Sequence, residues 1–329
     1  MSHFLYQLEF TTPVHFGNAE QGGRLEQVGT AYQADTLFGA LCCELNMLNE
    51  PELLASFIAK VKQGKIRFSD LFPYCELEKK NMHFYVPKPI ILKGREPQEG
   101  LSYQAVKELA SKRKSIKKLM YVRASKLSDY IAGDYTEAEP DFGAFAIAER
   151  VNCRHEEPLP YYVGSFSFAK NAGLYGILYL EDAGDLSNLI KIFTALGESG
   201  IGGKRSSGYG KFKLYDDAYD LEDGFYEDDE VLKNMLAAAD ASCQMCLSAT
   251  LPSLEDLSVV SQSSYKLLKR GGFVSAEKDL LVTKKNSVYA LAAGSCLTKR
   301  IEGTVKVVGH TDRHEVLRYG MGMYAGIDL

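Results

Sequence analysis

The sequence predicts an α+β chain of two tandem βαββαβ units, the first with a large insertion and the second degenerate. Three observations carry that expectation. Aromatic and aliphatic residues form strand-like runs at 4–12 and within 161–181. Amphipathic helical patterns follow both, at 36–48 and from 185 onward. A glycine-rich segment, 197–210, separates the second helix from a closing strand.

In the first strand Phe4, Tyr6, Leu8 and Phe10 alternate with Leu5, Gln7 and Glu9, the period of two that a sheet imposes. A loop containing Gly17, Gly22, Gly23 and Gly29 follows. Leu37, Phe38, Leu41, Cys42, Leu45 and Leu48 then line one helical face, with Asp35 placed as the N-cap. Pro51 opens a second helix over 51–62. Residues 65–150 lack a steady period and are expected to be an insertion with some helix. The aromatic-rich runs 161–168 and 174–181 flank residues 169–173, the spacing of a hairpin. A helix through Leu186, Leu189, Ile190, Phe193 and Leu196 follows, and a strand at 211–215 closes the unit. That order is the ferredoxin-like, or RRM-like, arrangement. It predicts an N-terminal domain over 1–214, a linker with a short helix over 215–240, and a second domain over 241–329. In that last domain 243–251, 264–274, 288–292, 303–308 and 318–325 read as strands.

A chain of 329 residues fits about two domains of roughly 150 residues each. With 46% hydrophobic and 25% charged residues it is neither disordered nor fibrous. No apolar run approaches the roughly 20 residues of a membrane helix, so no membrane partner is expected. The start, MSHFLYQLEF, lacks a secretory pattern. Seven scattered cysteines are an odd count, which points to a reducing, cytoplasmic setting.

The net charge of -5 conceals two opposed segments. Residues 215–230 hold nine acids and no base, and the rest of the chain sums to +4 without them. Residues 107–126 carry eight Lys and Arg against Glu108 alone. Phosphate affinity follows the local patch rather than the total. A solvated helix face beside an acidic linker explains the same pattern without a ligand.

The glycine-rich loop is the strongest functional signal. It packs six glycines into fourteen residues beside Lys204, Arg205, Ser206, Ser207 and Tyr209. Amides at Gly200, Gly202 and Gly203 suit an anion nest, the two cations suit phosphates, and Tyr209 suits base stacking. It is not a Walker A loop: Glu198 and Arg205 stand where Gly and Ser or Thr are required. It also follows a helix and opens a strand, the reverse of a dinucleotide loop. A polymeric phosphate ligand remains, RNA or DNA. Cys243 and Cys246 form a lone C-x-x-C without a second pair, and Cys42 and Cys43 sit on an apolar helix face, so core packing is expected for both. His310 and His314 lie in a strand-rich context that disfavours a metal pair. No metal or cofactor is expected. His15, just after the first strand, is placed to face RNA, or to act as the acid–base group of a nuclease.

The segment 200–210 (GIGGKRSSGYG), followed by a strand, resembles the glycine-rich loop of the RAMP superfamily, the RNA-binding subunits of CRISPR systems. Residues 33–41 (QADTLFGAL), 148–154 (AERVNCR), 265–273 (YKLLKRGGF) and 317–322 (LRYGMG) are similar to motifs of subunit four of type III-A (Csm) effector complexes. The resemblance implies two ferredoxin-like domains and a non-catalytic subunit that clasps the 5′ repeat-derived tag of CRISPR RNA. It further implies contacts to the large polymerase/cyclase-like Csm subunit and to a backbone Csm subunit. Arg154, Lys266, Lys269 and Arg270 are expected to line the same groove as the loop. The loop ends at Gly210 with over a hundred residues to follow, unlike precursor-processing RAMP endoribonucleases. A metal-independent endoribonuclease using His15 is the alternative, and a purely protein-binding scaffold a weaker one.

Overall fold

The computed structural model describes residues 2–329 apart from 18–23, 78–80, 92–101, 154–156, 275–283 and 313. β1 (Ser2–Phe10) is an interior strand, followed by α1 (Ala34–Met47) and α2 (Pro51–Lys62). Next come β2 (Ile66–Phe68), β3 (Phe72–Leu77), β4 (Asn81–Pro87), α3 (Tyr103–Lys118) and β5 (Tyr121–Arg123). A ribbon of β6 (Gly143–Asn152) and β7 (Leu159–Phe168) precedes β8 (Ala172–Leu180), α4 (Leu186–Ser199) and β9 (Phe212–Leu214). The main antiparallel sheet runs β9-β1-β8-β3-β4-β5, with β2 also on β8.

Both faces of this sheet are covered. Phe4, Tyr6 and Leu8 pack with Leu37, Phe38 and Leu41 of α1, Phe57 of α2 and Phe193 of α4. On the other face Leu5, Tyr175 and Ile177 pack with Leu232, Met245 and Ile327 from the C-terminal third. This double cover explains why Leu5 and Gln7 are buried where alternation alone puts them on an outer face.

Three expectations are corrected. The stretch 65–150 is not a mere insertion, because β2, β3, β4 and β5 belong to the main sheet. Residues 72–75 and 82–86 are buried on both faces and so show no period of two. The runs 161–168 and 174–181 are not hairpin partners. β7 pairs instead with β6 over ten positions, from Gly143↔Phe168 to Asn152↔Leu159, and β8 pairs with β1, β2 and β3. Asp35 does not cap α1. Gln33 holds the N-cap position, and Asp35 lies in the first turn with its side chain committed elsewhere.

After α5 (Glu227–Ala237) the described residues form three small antiparallel sheets. They join β10 (Cys243–Cys246) to β13 (Cys296–Leu297) and β16 (Tyr324–Ile327), β11 (Leu267–Arg270) to β12 (Val288–Leu291), and β14 (Lys306–His310) to β15 (Glu315–Arg318). The acidic segment is more than a solvated linker. Asp228 is fully buried and accepts from the Phe84 and Ser125 amides at 2.9 Å and from Arg123 Nε at 3.2 Å. Asp229 caps the turn into α5 through the Phe225 and Tyr226 amides. Tyr319 carries the C-terminal third into the N-terminal core, its hydroxyl accepting from the Phe68 amide at 2.8 Å.

Candidate nucleic-acid interface

α4 stops because Gly200 takes φ +79, and the loop that follows is folded back on itself. The Ile201 amide donates to the Gly210 carbonyl at 2.9 Å, and the Gly210 amide to Pro13 at 2.8 Å. Gly210 has φ +78, and a β-carbon there would stand 1.9 Å from the Ile201 oxygen, so no other residue fits. The Gly200 amide donates to Leu196, and the Gly203 amide to the His15 carbonyl at 2.8 Å. Gly202 lies against the Tyr32 hydroxyl. This corrects the expected anion nest at Gly200, Gly202 and Gly203. The Gly200 amide closes the end of α4, and those of Gly202 and Gly203 hold the loop to Tyr32 and to the first strand's exit, because a tight glycine turn in a packed setting must satisfy its own donors.

What the loop presents outward is its side chains. Lys204, a non-glycine at φ +61, leads into a short turn with Ser206 and Ser207 exposed. Its ammonium lies 5.3 Å from the centre of the Tyr161 ring on β7. Tyr209 accepts a hydrogen bond of 3.2 Å from Arg150 on β6, whose guanidinium also stands 5.7 Å from the ring. Arg150 and Tyr161 are directly paired across the ribbon. Two cations and two aromatic rings thus interleave where the loop meets the ribbon, with Arg205 half-buried beside them. The opposite face of the ribbon exposes Phe145, Ile147, Val151 and Tyr162. Arg150 and Tyr161 were not among the expected site residues, although the mixed basic and aromatic run 148–162 is visible in the sequence.

The remaining expected residues fall in several places. His15 is buried at 6% exposure, its Nδ1 2.8 Å from the Gly164 carbonyl on β7, so its ring is tied to the ribbon rather than facing outward. Arg154 lies outside the described residues. Lys266 precedes β11 and Lys269 lies on it, both exposed. Arg270 donates to both oxygens of Asp35 at 2.8 Å and to Thr36 at 2.6 Å. Arg318 donates to Asp35 as well, and to the Gly271 carbonyl at 2.9 Å. Burial alone would raise the Asp35 pKa, but Arg270 and Arg318 outweigh it and hold the carboxyl below its ordinary range. Buried Tyr32 links the two regions: burial pushes its hydroxyl pKa up, while Gly202, Arg205 and Arg270 pull it down. The side chains of Cys243 and Cys296 are hydrogen-bonded to each other in the core. Among the described residues no group of three His, Cys, Asp or Glu gathers as a metal site, and no helix is long and apolar enough to cross a membrane.

Residues 239–327 match the family model of the CRISPR Csm4 C-terminal domain. The chain is 28% identical to the "CRISPR system Cms protein Csm4" of Streptococcus thermophilus, covering 100% of both. It is 26% identical to the protein of that name from Mycobacterium tuberculosis, covering 99% of this chain and 98% of the relative. Its fold is similar to a chain of the Csm3–Csm4 subcomplex of the type III-A CRISPR-Cas interference complex, with a TM-score of 0.65, 16% identity and 100% of each chain covered. A chain of the Csm1–Csm4 cassette in complex with cA4 gives a TM-score of 0.60 at 17% identity, covering 99% of this chain and 98% of that one. Over the whole of this sequence the chain is similar to the Csm4 proteins of CRISPR systems, and its residues 239–327 match the Csm4 C-terminal domain model.

Proposed function

We propose that the chain is a non-catalytic RNA-binding and assembly subunit of a type III-A CRISPR complex, that it grips the 5′ repeat-derived tag of CRISPR RNA, and that it joins a Csm1-like large subunit to a Csm3-like backbone. The interleaving of Lys204, Arg150, Tyr161 and Tyr209 carries the reading. Cations alternating with aromatic faces suit a single strand, whose phosphates and unstacked bases are both accessible. Lys204 and Arg205 hold phosphates, and Ser206 and Ser207 supply hydroxyl donors. Tyr161, Tyr209 and the exposed apolar side of the ribbon receive splayed bases. Lys266 and Lys269 extend the cationic strip from the second domain. Two ferredoxin-like units fit this role, the first built on β1, α1, β3, β8, α4 and β9. The burial of His15 against Gly164 supports a binding role over an endoribonuclease.

The test is RNA binding across a salt series, using RNA with the constant repeat-derived 5′ end and a scrambled control. Lys204→Ala with Arg205→Ala should weaken binding and lower the salt slope by about 0.7 for each lost phosphate contact. An unchanged affinity and slope rejects the assignment. In cells, the tagged protein should bring down a large subunit and a short RNA with one 5′ end. Specific cleavage of repeat RNA by the purified chain in EDTA would favour the nuclease instead.

A further inference from the structure

The basic run is divided by the fold. Arg123 lies in β5 and is spent on Asp228 and Glu227. Lys126 lies in the turn after β5 and pairs with Asp129 at 3.7 Å. The other six stand on α3, which touches the protein along one stripe: Leu109, Lys112 and Ile116 are half-buried, and the rest of its described surface is exposed. Lys88 Nζ donates to the Ile116 and Lys117 carbonyls, at 3.5 and 2.8 Å, and closes the helix end. On the outward side Tyr103, Lys107, Lys114 and Lys118 fall in one row, flanked by Arg113 and Lys117. Among the described residues none of these cations pairs with a carboxylate.

We propose that this row is a second nucleic-acid surface, which takes the sugar–phosphate backbone of an RNA strand without reading its sequence. Helical rise places Lys107, Lys114 and Lys118 about 10 Å and about 6 Å apart along the axis, distances that successive phosphates can meet. Tyr103 heads the row at 84% exposure and offers an open ring for a base. An aromatic ring in line with lysines favours RNA over an acidic protein face, which needs the charge alone. The location separates it from the first interface. The glycine loop feeds β9 at one edge of the main sheet, and α3 leads into β5 at the other. Five strand spacings put the two surfaces about 24 Å apart. A strand longer than the one held at the loop, or a second strand, can engage both.

The experiment compares the full-length chain with the triple variant Lys107→Gln, Lys114→Gln, Lys118→Gln, using a mixed-sequence single-stranded RNA of about 30 nucleotides over a salt series. These side chains are solvated, and circular dichroism confirms the fold. The salt slope should fall by about 2, three contacts at about 0.7 each. The corresponding triple arginine variant should restore it. Combining the glutamines with Lys204→Ala and Arg205→Ala should add the two losses, as independent sites do. An unchanged slope in the glutamine variant overturns the proposal. So does loss of a co-purifying protein subunit with RNA binding intact, which would make α3 a protein-docking surface. A slope that falls with the glutamines but not with the loop alanines rejects the loop assignment and leaves this one standing.

Discussion

Arg270 on β11 donates to both carboxylate oxygens of Asp35 in the first turn of α1, each at 2.8 Å, across 235 positions of sequence. Arg318 reaches the same carboxylate from β15. One acid therefore fastens two strands of the C-terminal third to the N-terminal helix. A residue expected to cap its own helix acts instead over a long range.

Replacing Asp35 by Asn should destabilise the protein by about 3–5 kcal/mol. It leaves Arg270 and Arg318 buried without their shared counter-charge, the costly way to break a buried pair. Urea denaturation reads the loss directly. A change below about 1 kcal/mol would show that Arg270 and Arg318 gain other partners.

Asp70 supplies a pH signature. It is buried and accepts from the Ala34 amide at 2.8 Å and the Ala249 amide at 3.0 Å. Burial pushes its pKa up to about 7, against the pull of those two amides. The folded pKa exceeds the ordinary carboxyl value of about 3.9, so the folded state favours the protonated acid. Its contribution is complete below about pH 4 and is lost as pH rises to about 7. Asp70→Asn keeps an oxygen acceptor and does not titrate. Its stability relative to wild type should rise between pH 4 and 7, by at most about 4 kcal/mol, and then level off. Denaturation midpoints at pH 5 and pH 8 check the sign.

Two glycines of the same loop should respond differently to alanine. At Gly210 the new β-carbon meets the Ile201 oxygen at 1.9 Å, whereas at Gly208, with φ +84, nothing lies within 4 Å. Gly208→Ala should cost only the left-handed penalty of about 1–2 kcal/mol. Gly210→Ala should cost clearly more, because backbone must move. Equal losses by thermal unfolding would mean that the loop is not held as described.

Stacking and charge should separate at the first interface, on the proposed RNA-binding function. Tyr161→Leu and Tyr209→Leu should each lower RNA affinity by about 1–3 kcal/mol with the salt slope unchanged, since a ring holds a base and not a phosphate. Fluorescence anisotropy at two salt concentrations distinguishes this from the alanine variants of Lys204 and Arg205. A slope that falls with the tyrosines would reassign them to positioning the neighbouring cations.

The sequence by itself determined the local elements. α2 has the predicted limits, because Pro51 at its start is a local signal. β1 and α1 fall within two residues of expectation, since each carries its own period. The family motifs and the prominence of Lys204, Arg205 and Tyr209 were also legible along the chain. Tertiary structure alone decided which strands pair, because β8 is apolar throughout and its run of side chains does not name its neighbour. It alone set Arg150 against Tyr209 and Lys204 against Tyr161, contacts made between segments more than forty residues apart. It also turned the loop's amides inward and its cations outward. Whether a donor is free for a ligand depends on which carbonyl lies opposite it, and Pro13 and His15 reach those amides only once β1 and α4 have packed.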